Sequence, residues 1–255
     1  MKKFRHPKEK TAALVTFGLG LLASLFFVTV TFGCGLFLLG LGFAWISITM
    51  LNNPRLDQYH RINHNNLPEL YEMVHQIRKQ WRMADLDIYL NPTRQINASA
   101  SDFGKDFLIV NQGLWMSIQN DVHRKFVIGH ELGHIGLGHS WLRVLAYQAD
   151  NAFQGSLLGI LFQFLLLNYS RKKELSADRI GLLSCGDLTA ALEVLAFLEL
   201  SPHNPNMADI RQAVKQMVYG KADHDFSLGE LLSTHPDMHE RAKELIAFAR
   251  QIKMI

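Results

Sequence analysis

Charged residues are missing from one long stretch near the start of this 255-residue chain. The 44 residues from Thr11 to Pro54 include no Asp, Glu, Lys or Arg, and most of them are apolar. Soluble domains do not carry uncharged runs of this length, so the run argues against a purely soluble protein. The remaining composition is that of a globular chain and excludes a disordered or collagen-like protein.

The chain also has few cysteines and a small net charge. The chain has two cysteines, and Cys34 lies inside the apolar run, so a disulfide with Cys185 would have to reach into a bilayer. This excludes a disulfide framework and fits a reducing compartment. The formal net charge is +3, from 26 basic and 23 acidic residues, which is too weak to indicate a nucleic-acid partner. Five basic residues among the first ten positions predict a basic cytoplasmic tail at 1–11.

The apolar run is too long for one membrane span. As a single helix, 12–50 would measure roughly 58 Å, about twice the thickness of the hydrocarbon core. Gly33 and Gly35 tolerate turn dihedrals, so we predict a transmembrane hairpin over 12–51, with spans near 12–31 and 35–51. Basic residues on both sides of the run place both of its ends in the cytoplasm. A signal peptide and a pair of buried apolar helices are the alternatives.

The remainder of the chain, 55–255, predicts a short sheet followed by many helices. The fold class is therefore α+β and mostly helical. Strands are expected at 86–90, 95–100 and 107–111. Helices are expected at 66–83, 121–149, 171–184, 187–200, 206–219 and 236–252.

A metal-binding pattern lies within the predicted helix at 121–149. The sequence His130-Glu131-Leu132-Gly133-His134 places two imidazoles one turn apart on one helix face, where both can bind one zinc ion. Glu131 follows the first imidazole and can reach a water molecule beside the metal without binding the metal itself. The alternative is a buried helix whose two histidines have other partners.

The residues around this pattern refine the prediction. Glycines at 129, 133, 136 and 138 weaken a plain helix and indicate close approach of backbone, substrate or another helix. His139 would lie about 140° from His134 on a continuous helix. It would therefore point away, and we reject it as a ligand.

A catalytic zinc site needs a third protein ligand and one open position. Glu174 and Asp178 lie one turn apart on the predicted helix at 171–184. Glu174 can complete a His₂Glu site, and Asp178 can accept a hydrogen bond from a ligand imidazole. The alternative is a solvated helix face beside the basic residues 171–173.

Four motifs, in this order, resemble those of the HtpX and CAAX prenyl protease family of membrane zinc metallopeptidases, a gluzincin group. They are Asn-Ala-Ser-Ala at 97–100, the motif at 130–134, Glu-Leu-Ser-Ala-Asp-Arg-Ile-Gly at 174–181 and Ser-Thr-His-Pro at 233–236. The resemblance covers residues 65 to 250 and implies a zincin-like metallopeptidase domain. It implies one Zn²⁺ per chain bound by His130, His134 and Glu174, with Glu131 as the catalytic base. It also implies a functional role for Asp178.

Two further regions are assigned with alternatives. His235 precedes the last predicted helix and is a candidate donor to the tetrahedral oxyanion, with helix capping or packing as the alternative. Relatives are expected to carry further spans between the His motif and the zinc Glu, but 151–170 is only 20 uncharged residues and cannot hold two. One complete span would separate His130 from Glu174. We therefore expect a lid, an interfacial helix or a core helix.

These features predict a membrane-anchored zinc metalloendopeptidase that hydrolyses peptide bonds of membrane or misfolded proteins. It is expected in a bacterial inner membrane, with the lipid bilayer as a partner and the catalytic domain in the cytoplasm. Extended substrates are expected along a sheet edge formed by Gln95–Ala100 and Phe107–Asn111. The alternatives are a zinc-binding scaffold without activity and a membrane adaptor without tightly bound metal.

Overall fold

The computed structural model describes residues 1–31, 40, 42, 56–101, 105–139, 157–201, 205–219 and 238–255. The helices in this part of the chain are α1 (Pro7–Thr31), α2 (Pro68–Trp81), α3 (Gln112–Ser117), α4 (Asp121–Leu137), α5 (Leu157–Cys185), α6 (Leu188–Leu200), α7 (Met207–Tyr219) and α8 (Met238–Gln251). The strands are β1 (His60–Arg61), β2 (Asp87–Asn91), β3 (Ala98–Ser101) and β4 (Phe107–Asn111). Short 3-10 helices cover Lys2–Phe4 and Leu56–Gln58.

The four strands form one mixed sheet, and the predicted mostly helical α+β class is confirmed. The strand order is β1-β2-β4-β3, with β2 parallel to β4 and β3 antiparallel to it. The strand predicted at 107–111 is confirmed, whereas β2 begins one residue later than predicted and β3 begins at Ala98 rather than at Gln95. The zincin-like character of the domain stays a prediction.

The sheet order corrects the predicted substrate edge. Strand β4 pairs with β2 on one side and with β3 on the other, so it cannot accept a further strand, and its assignment to the edge is wrong. Strand β3 is an edge strand of the sheet and lies against α4. Of the two strands predicted to form the substrate edge, β3 is therefore the one with a free edge, and β1 forms the opposite edge of the sheet.

Helix α2 shows why the amphipathic pattern predicted it correctly. Pro68 occupies its first turn, where a missing backbone N–H costs nothing. Leu70, Val74 and Ile77 recur at helical spacing and are buried against the sheet and α4. Arg82 ends the helix in the left-handed conformation, with φ of 53°.

Helix α4 begins and ends at clear signals. The side chain of Asn120 caps its start by accepting a hydrogen bond from the Val122 amide at 2.8 Å. The helix ends at Leu137, well before the predicted residue 149, because Gly138 takes the left-handed conformation, with φ of 70°. The His139 amide then donates to the His134 carbonyl at 3.0 Å.

Helix α5 joins two segments that the sequence analysis separated. It is one helix of 29 residues, so the apolar residues from 157 to 170 continue without a break into the segment that carries Glu174. Residues 151–156 lie outside the described residues. Helices α1 and α5 run antiparallel, because Glu9 contacts Ser176 while Ala12 packs with Tyr169 further back along α5.

Helix α1 contains one stretch, Pro7–Phe26, that is long and apolar enough to cross a membrane, judged by length and composition. Its large side chains Leu14, Phe17, Leu22 and Phe26 are exposed, as expected for a helix that faces lipid. The predicted second span at 35–51 and its turn at Gly33 lie outside the described residues, so the hairpin stays a prediction.

Residues before α1 fold onto the domain, although the sequence analysis treats 1–11 as a separate tail. The ring of Phe4 packs edge-on against Trp81 and Phe248, with centroid distances of 5.7 and 6.2 Å. The His6 amide donates to the Ser176 hydroxyl at 2.9 Å. This segment therefore belongs to the packed structure.

Candidate metal centre

Two helices bring together three side chains that could hold a metal ion. His130 and His134 project from α4, and Glu174 projects from α5. The two Nε2 atoms lie 3.2 Å apart. Glu174 places one carboxylate oxygen 3.4 Å from His130 Nε2 and the other 3.6 Å from His134 Nε2. One ligand atom from each residue lies within 4.8 Å of the others.

Small residues let these helices approach closely. A Cβ atom on Gly129 would lie 2.5 Å from the Cβ of Ser184, and one on Gly133 would lie 3.1 Å from the Cβ of Ile180. On α5, a Cβ atom on Gly181 would lie 2.9 Å from the Phe126 carbonyl oxygen. Gly129 and Gly133 therefore serve close packing of α4 against α5, one of the interpretations that the sequence allowed.

A buried carboxylate lies behind the first imidazole. Asp178 Oδ1 is 2.9 Å from His130 Nδ1, the nitrogen on the side of the ring away from the other ligand atoms. Arg241 from α8 donates to both oxygens of Asp178, from Nε at 2.8 Å and from Nη2 at 2.5 Å. The arrangement favours His130 protonated at Nδ1, which leaves Nε2 free to bind a metal.

A different set of residues lies behind the second imidazole. His134 Nδ1 is 2.8 Å from His139 Nδ1, and His139 Nε2 is 3.1 Å from Oε1 of Glu9 in α1. The prediction that His139 points away from His134 is wrong, because α4 ends at Leu137 and Gly138 redirects the chain. His139 contacts the ligand imidazole but is not one of the three converging side chains.

The electrostatics of the centre follow from burial and these partners. Burial by itself would lower the pKa of His130, but hydrogen bonds to Asp178 and Glu174 and their negative charges raise it to about 10. Burial would raise the pKa of Asp178, but the charge and hydrogen bonds of Arg241 lower it. Burial lowers the pKa of His134 well below its usual value, which keeps that imidazole neutral. A neutral imidazole is the form that binds a metal, so a metal that binds His130 would displace the proton that the raised pKa of this imidazole retains.

The donor set fits zinc. Two imidazole nitrogens and one carboxylate are the ligands of a catalytic zinc site that keeps one position open. Each ligand imidazole also has a partner at its second nitrogen, as metal-binding histidines require. Glu131 is half-buried on α4 between the two histidines, close enough for its charge to act on Arg241.

Two site predictions remain, one for Asp178 and one for His235. Asp178 contacts the imidazole of His130, and its role at a metal site stays a prediction. His235 lies outside the described residues, so its role stays a prediction.

Two residues of the centre, Arg241 and Glu9, were not predicted from the sequence. The sequence nevertheless contains a pattern that could have indicated each residue. Arg241 falls on the apolar stripe of α8 with Leu245 and Phe248. Glu9 is the one acidic residue among the first ten positions.

Known proteins resemble this chain along most of its length. The model of peptidase family M48 matches residues 65–249. A protease HtpX homolog from Sulfurihydrogenibium sp. is 27% identical over 234 residues, covering 75% of this chain and 78% of that protein. A protease HtpX homolog from Persephonella marina is 25% identical over 226 residues, which cover 75% of this chain and 78% of that protein.

A mitochondrial relative matches a smaller part. The mitochondrial metalloendopeptidase OMA1 of Arabidopsis thaliana is 31% identical over 159 residues, which cover 59% of this chain and 29% of that protein. The family match spans well over half of the chain and includes all three converging side chains and Glu131. The chain therefore belongs to peptidase family M48.

Proposed function

We propose that this membrane-associated zinc metalloprotease is an endopeptidase that cleaves internal peptide bonds with one zinc ion per chain. The observation that carries the proposal is the convergence of His130, His134 and Glu174 beside Glu131. Family membership and the protease names of the relatives support the same activity. The substrates that we propose, from the family resemblance of the sequence motifs, are membrane or misfolded proteins.

The residues divide the chemical work. His130, His134 and Glu174 would hold zinc, which supplies Lewis-acid polarisation of the scissile carbonyl and of the attacking water. Glu131 accepts a proton from that water and later delivers one to the leaving amine. Asp178 keeps His130 oriented, and Arg241 holds Asp178. His235 is proposed as a donor to the developing oxyanion.

Strand β3 is the proposed site for an extended substrate. It is an edge strand, it lies against the helix that carries the His motif, and its side chains are small. Backbone hydrogen bonds along such an edge bind a peptide without demanding a particular side-chain sequence. This suits a protease that acts on many unfolded segments.

The proposed location is a bacterial inner membrane, with the catalytic domain on the cytoplasmic side. Five basic residues precede the apolar part of α1: Lys2, Lys3, Arg5, Lys8 and Lys10. The same segment contacts the domain through residues 4, 6 and 9. The basic segment and the metal centre therefore share one side of the membrane. Basic residues favour the cytoplasmic side.

A measurement of zinc content and cleavage on the full chain in detergent tests the proposal. The expected result is about one zinc per chain and hydrolysis of an unstructured protein such as casein. A chelator should abolish this activity, and added Zn²⁺ should restore it. Bound zinc without cleavage would indicate an inactive scaffold, and absence of bound zinc would indicate a membrane adaptor.

A further inference from the structure

One buried carboxylate near the metal centre belongs to the membrane helix rather than to the domain. Glu9 lies in the first turn of α1 and has no exposed surface. Nothing in the chemistry proposed above uses it. A carboxylate is expensive to bury in an apolar setting, so its partners indicate what it does there.

The partners of Glu9 converge on the metal centre. Oε1 lies 3.1 Å from His139 Nε2 and 3.2 Å from Arg5 Nη1, and Oε2 accepts a hydrogen bond from the Ser176 hydroxyl. Through His139, the contacts continue to His134 Nδ1 at 2.8 Å. Glu9 is thus two hydrogen bonds away from a proposed metal ligand that lies 125 positions later in the chain.

Both hydrogen bonds can have their donor on the His134 side and their acceptor on the Glu9 side. The nitrogen of His134 that faces Glu174 is Nε2, so a metal-binding His134 carries its proton on Nδ1 and donates it to His139 Nδ1. His139 then carries its own proton on Nε2 and donates it to the Glu9 carboxylate. An acceptor at position 9 therefore selects the tautomer of His139 and, through it, that of His134.

The two ligand imidazoles are supported in parallel ways. Behind His130 stands Asp178, paired with Arg241. Behind His134 stands the pair of His139 and Glu9, with Arg5 beyond it. In each case a buried carboxylate held by an arginine ends the series of hydrogen bonds. The difference is that the second carboxylate comes from the membrane helix.

We infer that Glu9 is a positioning residue of the metal centre, whose carboxylate, through His139, holds His134 in the tautomer and orientation that bind the metal. The inference rests on the proposed zinc site and extends that site into the first turn of α1. It implies that the docking of α1 against α5 affects metal affinity as well as membrane attachment.

Substitutions at position 9 of the full chain in detergent test the inference. Glu9→Leu removes the acceptor, whereas Glu9→Gln keeps an acceptor of the same size. His6→Gln is the matched control, because His6 lies on the same docked segment but its ring contacts Glu244 instead. The readouts are zinc affinity, from competition with a chromophoric chelator, and the visible spectrum of the Co²⁺-substituted protein.

The expected result is a graded loss that is specific to position 9. Loss of a partner behind a metal-binding histidine weakens affinity by about ten- to a hundredfold, which is expected for Glu9→Leu together with a changed Co²⁺ spectrum. Glu9→Gln should fall between Glu9→Leu and wild type, and His6→Gln should match wild type. His139→Leu should weaken affinity as much as Glu9→Leu, and the double variant should be no weaker than His139→Leu alone.

Several results would overturn the inference. Wild-type zinc affinity and an unchanged Co²⁺ spectrum in folded Glu9→Leu would do so. If Glu9→Leu lacks a cooperative thermal transition, Glu9→Gln decides, and wild-type values in that variant refute the role of Glu9. Failure of the proposed function has a separate signature in the wild-type chain itself, which would bind no zinc as an adaptor and would bind zinc without cleaving casein as an inactive scaffold.

Discussion

Glu131 has a proposed role that can be tested separately from that of the proposed metal ligands beside it. It lies between His130 and His134 on α4 but is not one of the converging ligand residues. Replacement by Gln keeps the size of the side chain and removes its ability to accept a proton. We expect Glu131→Gln to lose at least a hundredfold in cleavage rate, on the order of a general base's contribution, while binding one zinc per chain.

Substitution of a proposed metal ligand gives the zinc content and cleavage rate with which Glu131→Gln is compared. His134→Ala or Glu174→Ala removes a donor, so both zinc and activity should be lost together. The measurements are zinc content by atomic absorption and the rate of casein cleavage. Normal cleavage by zinc-loaded Glu131→Gln would show that another group is the base.

At the scale of elements, the distance between α4 and α5 determines whether the metal ligands meet. Gly129 lies on the contact, and a Cβ atom there would come within 2.5 Å of the Ser184 Cβ. Gly129→Ala should therefore push the helices apart and destabilise the domain by about 1–3 kcal/mol, as overpacking does. Zinc affinity should fall as well, because Glu174 moves with α5.

Gly18→Ala is the matched control for Gly129→Ala. Gly18 is also helical, but a Cβ atom there meets nothing within 4 Å. Both substitutions gain the same intrinsic helix preference, about 1 kcal/mol, so the difference between the variants isolates the steric clash. Thermal unfolding in detergent measures it, and equal transition temperatures for the two variants would contradict the close-packing argument.

Strand β3 has backbone amides that face the proposed substrate and others that pair with β4, and substitutions can test the two sets separately. The Asn111 amide donates to the Asn97 carbonyl, so by antiparallel alternation the pair Ser99 and Ile109 also exchanges hydrogen bonds. The amides of Ala98 and Ala100 consequently point away from β4, towards the proposed substrate. Proline at position 98 removes an outward amide, which edge strands tolerate.

We expect Ala98→Pro to raise the KM for an unstructured peptide about three- to tenfold, the effect of one hydrogen bond, with the thermal transition and zinc content unchanged. Ser99→Pro breaks the pairing with β4 and should instead lower the thermal transition temperature. An unchanged KM in folded Ala98→Pro would show that substrate does not pair with β3.

At the scale of the whole molecule, the docked N-terminal segment supports the proposed cytoplasmic location of the catalytic domain. Phe4, His6 and Glu9 all contact residues of the domain, so the start of α1 and the metal centre share one side. Topology reporters fused at residue 1 and at residue 255 should both report the cytoplasm. A reporter at residue 255 that is active outside the cytoplasm would overturn the orientation.

Sequence by itself determined the features that depend on local spacing. One helical turn separates His130 from His134 and Glu174 from Asp178, and the uncharged run marks a membrane segment, because both signals follow from helix geometry and hydration. The predicted start of α4 at residue 121 was also correct, because the Asn120 cap that begins this helix is a local interaction.

Only the tertiary structure decided the features that join distant parts of the chain. Arg241 meets Asp178 across 63 positions, and Glu9 meets His139 across 130. The place of β4 in the middle of the sheet depends on strand pairing, which a single strand's pattern does not encode. Likewise, one left-handed glycine at 138 turned His139 towards His134, because a helical-wheel argument holds only while the helix continues.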